Sequence, residues 1–160
     1  WMVRVNGEPL EAPLEKGFAV ITRTWRPGDT VRLDLPMPVR FNTCIDKVEA
    51  NRGRVAVTRG PLVYCAEEVD NGGPVQRFFV PRLPEAGEVR PAAIADGPLE
   101  GVIAVTLSAK EAAGGGAKDA ALTLVPYYAW NNRGEESMIV WLPRTADRAG
   151  GARRASDGAR

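Results

Sequence analysis

Leu62 to Ala66 is an unbroken apolar run, LVYCA, entered through Gly60-Pro61 and left through Glu67, Glu68 and Asp70. A strand with one wet face alternates apolar and polar residues, whereas a run without alternation is covered on both faces. The run therefore predicts a central strand, with Arg54–Thr58 as a half-exposed strand leading into it. Arg52 and Arg54 share the outward face of that approach with Thr58, and Arg59 follows. This is a solvated face or one that docks a neighbouring domain.

The rest of the chain reads as more strands. Met2–Val5 is a short strand with Val3 and Val5 inward, ending at the turn dipeptide Asn6-Gly7. Glu8–Lys16 reads as a polar loop, and Phe18–Trp25 as a strand. Arg26-Pro27-Gly28-Asp29 is a tight turn, with proline presetting φ and glycine supplying a positive φ. Thr30–Leu35 is the expected hairpin partner of Phe18–Trp25, with Val31, Leu33 and Leu35 inward. Pro36-Met37-Pro38 interrupts the pattern, so a break between sub-sheets is expected near 36–53. Val39–Ile45, Val75–Val80 and Gly101–Leu107 supply further strands, and Pro81–Pro98 reads as a long surface connection. Ser108–Ala121 is rich in helix formers but is cut by Gly114-Gly115-Gly116, at about 1 kcal/mol per glycine against helix. It reads as a mobile loop with at most one helical turn. Ala121–Tyr128 and Ser137–Leu142 form a last hairpin-like pair.

Short strands at roughly ten-residue spacing, punctuated by glycine and proline, predict an all-β fold. An antiparallel β-sandwich of jelly-roll type over residues 1–143 is the expectation. Residues 144–160 carry five arginines and no large apolar residue, and read as a disordered basic tail. The opening WMVRVNGE resembles the middle of a strand, so the chain reads as a piece of a longer protein. An exposed edge or apolar patch is then expected near Met2–Val5.

Several function classes fall away on composition. The chain of 160 residues has a formal charge of +1, against the basic excess of a nucleic-acid surface. It has no apolar stretch of membrane-spanning length. No leader-like start is visible, but the opening reads as the middle of a strand, so the compartment is not read from this terminus; it stays unknown, with the cytoplasm slightly favoured. With no histidine, Ser-His-Asp and Cys-His catalysis and imidazole metal sites are out of reach. Cys44 and Cys65 are too few for a disulfide framework or a four-cysteine zinc site, and read as buried or half-buried thiols.

Three blocks, in order, carry a family resemblance: VNGEPL with Lys16–Arg40 (KGFAVITRTWRPGDTVRLDLPMPVR), then RGRVAVTRGPLVYCAEEVDN, then Val125–Leu142 (VPYYAWNNRGEESMIVWL). Together they resemble the C-terminal β-sandwich region of the β-L-arabinofuranosidase-type glycoside hydrolases, family 127, formerly a domain of unknown function. The resemblance implies a helical (α/α)₆ barrel before this region, carrying a cysteine nucleophile at a zinc bound by further Cys and Glu. Neither Cys44 nor Cys65 matches that motif, so no catalytic residue and no cofactor is assigned to this chain. The implied role is that of an accessory β-sandwich packed on the barrel.

Ordinary glycosidases set two carboxyl groups about 5–9.5 Å apart. Glu67 and Glu68 are adjacent at a strand end and should point to opposite faces, as a solvated terminus. Asp29 and Asp34 read as turn chemistry and an outward strand position. The sharper candidate is Tyr127, Tyr128, Trp130, Asn131 and Arg133. Aromatic faces pack against sugar C–H groups, and planar amide and guanidinium groups fork onto hydroxyls. The same residues also suit a core or interdomain role, in which Tyr127 or Tyr128 fills the core and Trp130 covers a sheet edge; Trp25 likewise reads as core or interface. Three roles stay open: accessory domain, carbohydrate-binding module, and assembly domain for a homo-oligomer.

Overall fold

The computed structural model describes residues 1–85 and 88–149. It divides into two units, Trp1–Pro38 and a second running on from Val39. Every strand pairing is antiparallel, and a single short α-helix is found among the described residues. The all-β, antiparallel expectation holds. No helix among the described residues is long and apolar enough to cross a membrane.

The first unit is built on β1 (Met2–Val5). Asn6 and Gly7 both take positive φ, the condition of the two-residue turn that matches strand twist. The chain therefore folds straight back as β2 (Glu8–Leu10), where the sequence reading placed a loop. β3 (Leu14–Glu15) and β4 (Phe18–Ala19) form a separate two-stranded ribbon. Phe18–Trp25 is thus mostly not a strand.

The turn Arg26–Asp29 forms as expected, with Gly28 at φ 90° and the Asp29 N–H donating to Arg26 O at 3.1 Å. The strand after it, β5 (Val31–Asp34), pairs with β1 rather than with Phe18–Trp25. Asn6 decides between these partners. Its backbone N–H donates to Thr30 O at 3.0 Å, its Oδ1 accepts the Thr30 N–H at 2.9 Å, and its Nδ2 donates to Asp29 at 2.7 Å. Those bonds lock the two turns together and seat β5 beside β1.

Met2–Val5 is consequently the middle strand of its three-stranded sheet, not an edge. Register places Val3, Val5, Leu10, Val31 and Leu33 on one face. Val3 and Val5 are buried, but Val31 and Leu33 remain 52% and 54% exposed. Their expected inward packing, and that of Leu35, is not found. Trp1, Met2 and Leu10 are also exposed and line a hollow with Val3 and Pro9.

Among its described residues the second unit holds nine strands in one curled sheet. β6 (Val39–Asn42) and β7 (Arg54–Arg59) lead to β8 (Leu62–Glu67) and α1 (Glu68–Asn71). β9 (Phe78–Phe79), β10 (Arg90–Ala93), β11 (Ile103–Ala113) and β12 (Gly116–Pro126) follow. β13 (Met138–Ile139) and β14 (Leu142–Pro143) complete it.

β8 occupies the centre. It pairs with β7 near its start, with β12 at Tyr64 and Cys65, and with β13 at Ala66 and Glu67. Tyr64 and Ala66 enter the larger apolar cluster, while Cys65 enters a smaller one with Leu99, Val125 and Ala129. From Tyr64 on, the strand is covered on both faces, as its unbroken run requires. Tyr64 is fully buried, and its hydroxyl donates to Ile103 O at 2.8 Å, giving a buried phenol the partner it needs. β7 is more buried than its alternation suggests, with Val55, Ala56 and Val57 all inside.

Two sequence expectations fail here for identifiable reasons. Ser108–Ala121 is neither loop nor helix but the outer half of a long hairpin. Gly114 and Gly115 adopt positive φ and so make the two-residue turn themselves. Lys110 sits opposite Asp119, and Glu111 opposite Lys118, each pair at 2.8 Å. Cross-strand ion pairs and the continued inward sequence Val105, Leu107, Ala109 override helix propensity. Part of the Pro81–Pro98 connection is also a strand, β10, paired to β11.

Ser137–Leu142 does not pair with β12; its two short strands join β8 and β7 instead. Beyond them Arg144 donates its N–H to Gly53 O at 3.0 Å, and hydrogen-bonded turns continue to Ala149. Of the tail expected to be disordered over 144–160, residues 144–149 carry these bonds, and 150–160 lie outside the described residues.

Candidate functional site

The site is built where β8 and β12 end together. Pro126 closes β12, and Tyr127–Ala129 turn as a short 3₁₀ segment, with the Trp130 N–H donating to Tyr127 O at 3.2 Å. That single turn brings the rings of Tyr127 and Trp130 into a stack, 5.8 Å between centroids and 26° between planes. Tyr127, Tyr128 and Trp130 are 47%, 65% and 37% exposed. Neither tyrosine fills the core. Asn131 then takes φ 63°, a left-handed conformation that asparagine tolerates better than most side chains, and the chain reverses. Asn132 Nδ2 closes the loop onto Ala129 O at 2.9 Å.

Arg133 anchors this loop from beneath. Its two terminal nitrogens fork onto Asp70 at 2.5 and 2.6 Å, and Nη2 also reaches Glu67 Oε2 at 2.6 Å. The other Glu67 oxygen accepts the Asn131 N–H at 3.1 Å. Glu67 is only 2% exposed, so the sequence reading of Glu67 as a solvated terminus is corrected. Alternation along β8 turns its side chain inward, and burial is tolerable because a cation and an N–H meet it there. Hydrogen bonding to Asp70, then to Glu67, holds the Arg133 guanidinium above its already high ordinary pKa. Asn71 ties the same corner to β12, donating to Glu67 O and Thr123 O and accepting the Thr123 N–H.

Beside the aromatic stack runs a groove lined by Glu68, Trp130, Asn131, Glu135, Glu136 and Ser137. Ser137 Oγ donates to Glu68 Oε2 at 2.6 Å, and the Glu68 N–H donates to Ser137 O at 3.1 Å. Of the five residues singled out in the sequence, Trp130 and Asn131 line this groove and Tyr127 backs Trp130. Tyr128 stands exposed outside the lining, and Arg133 is turned down to Glu67 and Asp70. The Glu67–Asp70–Arg133 cluster and the acidic lip were not anticipated. Glu67 follows an unbroken buried run, which is the one local sign that it is not a surface carboxylate; its partner is 66 residues away.

The other candidates are structural. Asp29 is engaged by Asn6 and by the Arg26 N–H, and Asp34 by Arg32; those bonds hold both carboxyls below the ordinary carboxylate pKa. Arg52 donates to Asp46 O and Arg54 to Trp141 O. Trp25 lies under the Arg23 guanidinium at 5.0 Å.

Cys44 is half-buried and Cys65 fully buried, both as free thiols. Burial, then the nearby Glu67 and Asp70, push the Cys65 thiol up to about 12. A nucleophilic cysteine needs the opposite, a stabilised thiolate. Among the described residues no three His, Cys, Asp or Glu side chains converge as metal ligands; the sequence resemblance places the zinc it implies on the barrel, not on this chain.

Comparison with known proteins agrees with this architecture. Residues 39–143 match the family model described as the glycoside hydrolase family 127 C-terminal domain, and residues 1–37 match that of the β-L-arabinofuranosidase GH127 middle domain. A non-reducing end β-L-arabinofuranosidase from Bifidobacterium longum is 37% identical over 90% of this chain and 24% of its own length. A solved GH127 β-arabinofuranosidase superposes with a TM-score of 0.79 at 38% identity, over 93% of this chain and 24% of that one. A GH127 β-L-arabinofuranosidase from Geobacillus stearothermophilus T6 gives 0.71 at 36% identity, over 89% and 24%. The chain thus spans about a quarter of the length of these relatives.

Proposed function

This chain belongs to glycoside hydrolase family 127, and from that membership we propose that it is a non-catalytic accessory β-region of a β-L-arabinofuranosidase-like enzyme. In this reading it packs on and supports a catalytic barrel supplied by further chain, and the barrel carries the cysteine, the zinc and the hydrolysis. The observation that carries the proposal is the half-covered sheet of the first unit. Val31 and Leu33 lie on the same face as buried Val3 and Val5 yet remain half exposed. A contiguous exposed apolar face marks a surface meant to be covered.

The chemistry of the second unit points the same way. The buried carboxylate Glu67 accepts from Arg133 and Asn131 and lies out of water, which suits a structural anchor rather than a catalytic acid or base. A paired substitution tests the docking role. Val31→Asp with Leu33→Asp should lower the thermal stability of a protein spanning the full length of the relatives, while barely changing the 160-residue chain, where that face already meets water. Equal effects in both would contradict docking. A second copy covering the same face is the assembly alternative, and light scattering of the 160-residue chain separates the two.

A second reading, carbohydrate binding, is favoured by the exposed stack of Tyr127 and Trp130 at the mouth of a polar groove. Its ligand contacts would come from Tyr127, Tyr128, Trp130 and Asn131, with Arg133 holding the loop rather than the sugar. Binding that Trp130→Ala abolishes without unfolding the chain would support it.

A further inference from the structure

Resting on the carbohydrate reading, we propose that the groove at Trp130 selects neutral glycans and rejects those bearing uronic acids. The structure changes the donor and acceptor balance that the residue types alone suggest. Arg133, the one guanidinium of the cluster, is consumed by Asp70 and Glu67. What lines the groove is instead Glu68, Glu135 and Glu136, with Asn131, Ser137 and Trp130. Ionised carboxylates only accept hydrogen bonds, and Ser137 spends its one proton on Glu68. The three carboxylates therefore call for donors on the ligand, beside the amide and indole N–H donors that Asn131 and Trp130 offer. Sugar hydroxyls supply them, and each can place its proton on a carboxylate oxygen in a charge-assisted bond.

The lining contains no lysine or arginine, so a uronic carboxylate would enter among three like charges without a counter-ion, and such juxtapositions suppress binding. The aromatic part argues for a ring-shaped ligand over a point charge. Tyr127 stiffens Trp130 from the side, and Asn131, Asn132 and Arg133 fix the loop that carries both. A rigid aromatic gives contact area at little ordering entropy. A basic peptide, which would also satisfy the carboxylates and Trp130, is the competing ligand.

Calorimetric titration of the 160-residue chain at low salt with neutral arabino-oligosaccharides, oligogalacturonides and tetralysine tests this. The neutral glycan should bind at least about tenfold tighter than the uronide, a gap of one decade in Kd. Trp130→Ala should abolish binding and Trp130→Phe retain it, with near-ultraviolet circular dichroism confirming the fold of each. Glu135→Gln with Glu136→Gln, both isosteric, should narrow the gap between the two glycans to about threefold or less.

A uronide that binds as well as the neutral glycan would overturn the charge selection and leave the carbohydrate reading standing. Heat with tetralysine alone, lost in Trp130→Ala, would overturn the proposal in favour of a cationic partner. No heat with any ligand would overturn the selection and the carbohydrate reading together. The accessory role is decided separately, by hydrolysis.

Discussion

Glu67 and Arg133 are brought within 2.6 Å across 66 residues of sequence, and both lie largely out of water. That contact joins the end of the central strand to the loop that carries the exposed aromatics. It explains how a loop with three surface aromatics holds one shape. Breaking a buried ion pair from one side strands the other charge, typically at about 3–5 kcal/mol. Arg133→Ala should therefore lose about that much in urea unfolding, with Trp130 fluorescence shifting to the red as the loop is released. Glu67→Gln with Arg133→Met should lose less than the two single changes together, because the members of one network couple. Additive losses would show that the contact holds nothing.

The β11–β12 hairpin turns on Gly114 and Gly115, at φ 51° and 87°. An L side chain in the left-handed region costs roughly 1–2 kcal/mol. Gly115→Ala should destabilise the chain by about that amount, while Gly114→Asn should stay within about 0.5 kcal/mol, since Asn-Gly suits this turn. Urea midpoints of the two variants check the contrast. Equal losses would argue for a different turn.

Cys65 supplies a dependence on pH. Its folded thiol is pushed up to about 12, against an ordinary 9.0, first by burial and then by Glu67 and Asp70. Because the folded value is raised, this contribution to stability is intact below about pH 9. It is lost as pH rises from there through about 12, where the unfolded chain has already released the proton. The stability advantage of the native chain over Cys65→Ala should therefore shrink across that window. At pH 8 iodoacetamide should modify half-buried Cys44 well before Cys65. Prompt alkylation of Cys65 in the folded chain would contradict its burial.

The fold and the site were unequally legible in the sequence. Leu62–Ala66 announced a central strand because a covered strand has no need to alternate, and the turns at Asn6-Gly7 and Arg26–Asp29 announced themselves through residues that need positive or preset φ. Pairing partners were not legible. Thr30–Leu35 looked bound to its sequence neighbour, yet the side chain of Asn6 and the strand before it claimed β5. Ser108–Ala121 looked helical because alanine, lysine and glutamate carry helix propensity, and the facing charges that make it a hairpin appear only once the register is known.

At the site, the exposed aromatic types were readable, but the use of Arg133 was not. No local pattern says that a guanidinium will turn to a carboxylate on a strand 66 residues earlier. The family resemblance rested on three ordered blocks, and the family matches over 1–37 and 39–143 agree with it.

The most direct test of the accessory role is hydrolysis of an aryl β-L-arabinofuranoside. It would be measured for the 160-residue chain alone and for a protein that carries it at the end of a chain as long as its relatives. The account predicts no turnover by the chain alone at any enzyme concentration, and turnover by the longer protein. Steady hydrolysis by the purified 160-residue chain, surviving removal of any contaminating enzyme, would contradict it.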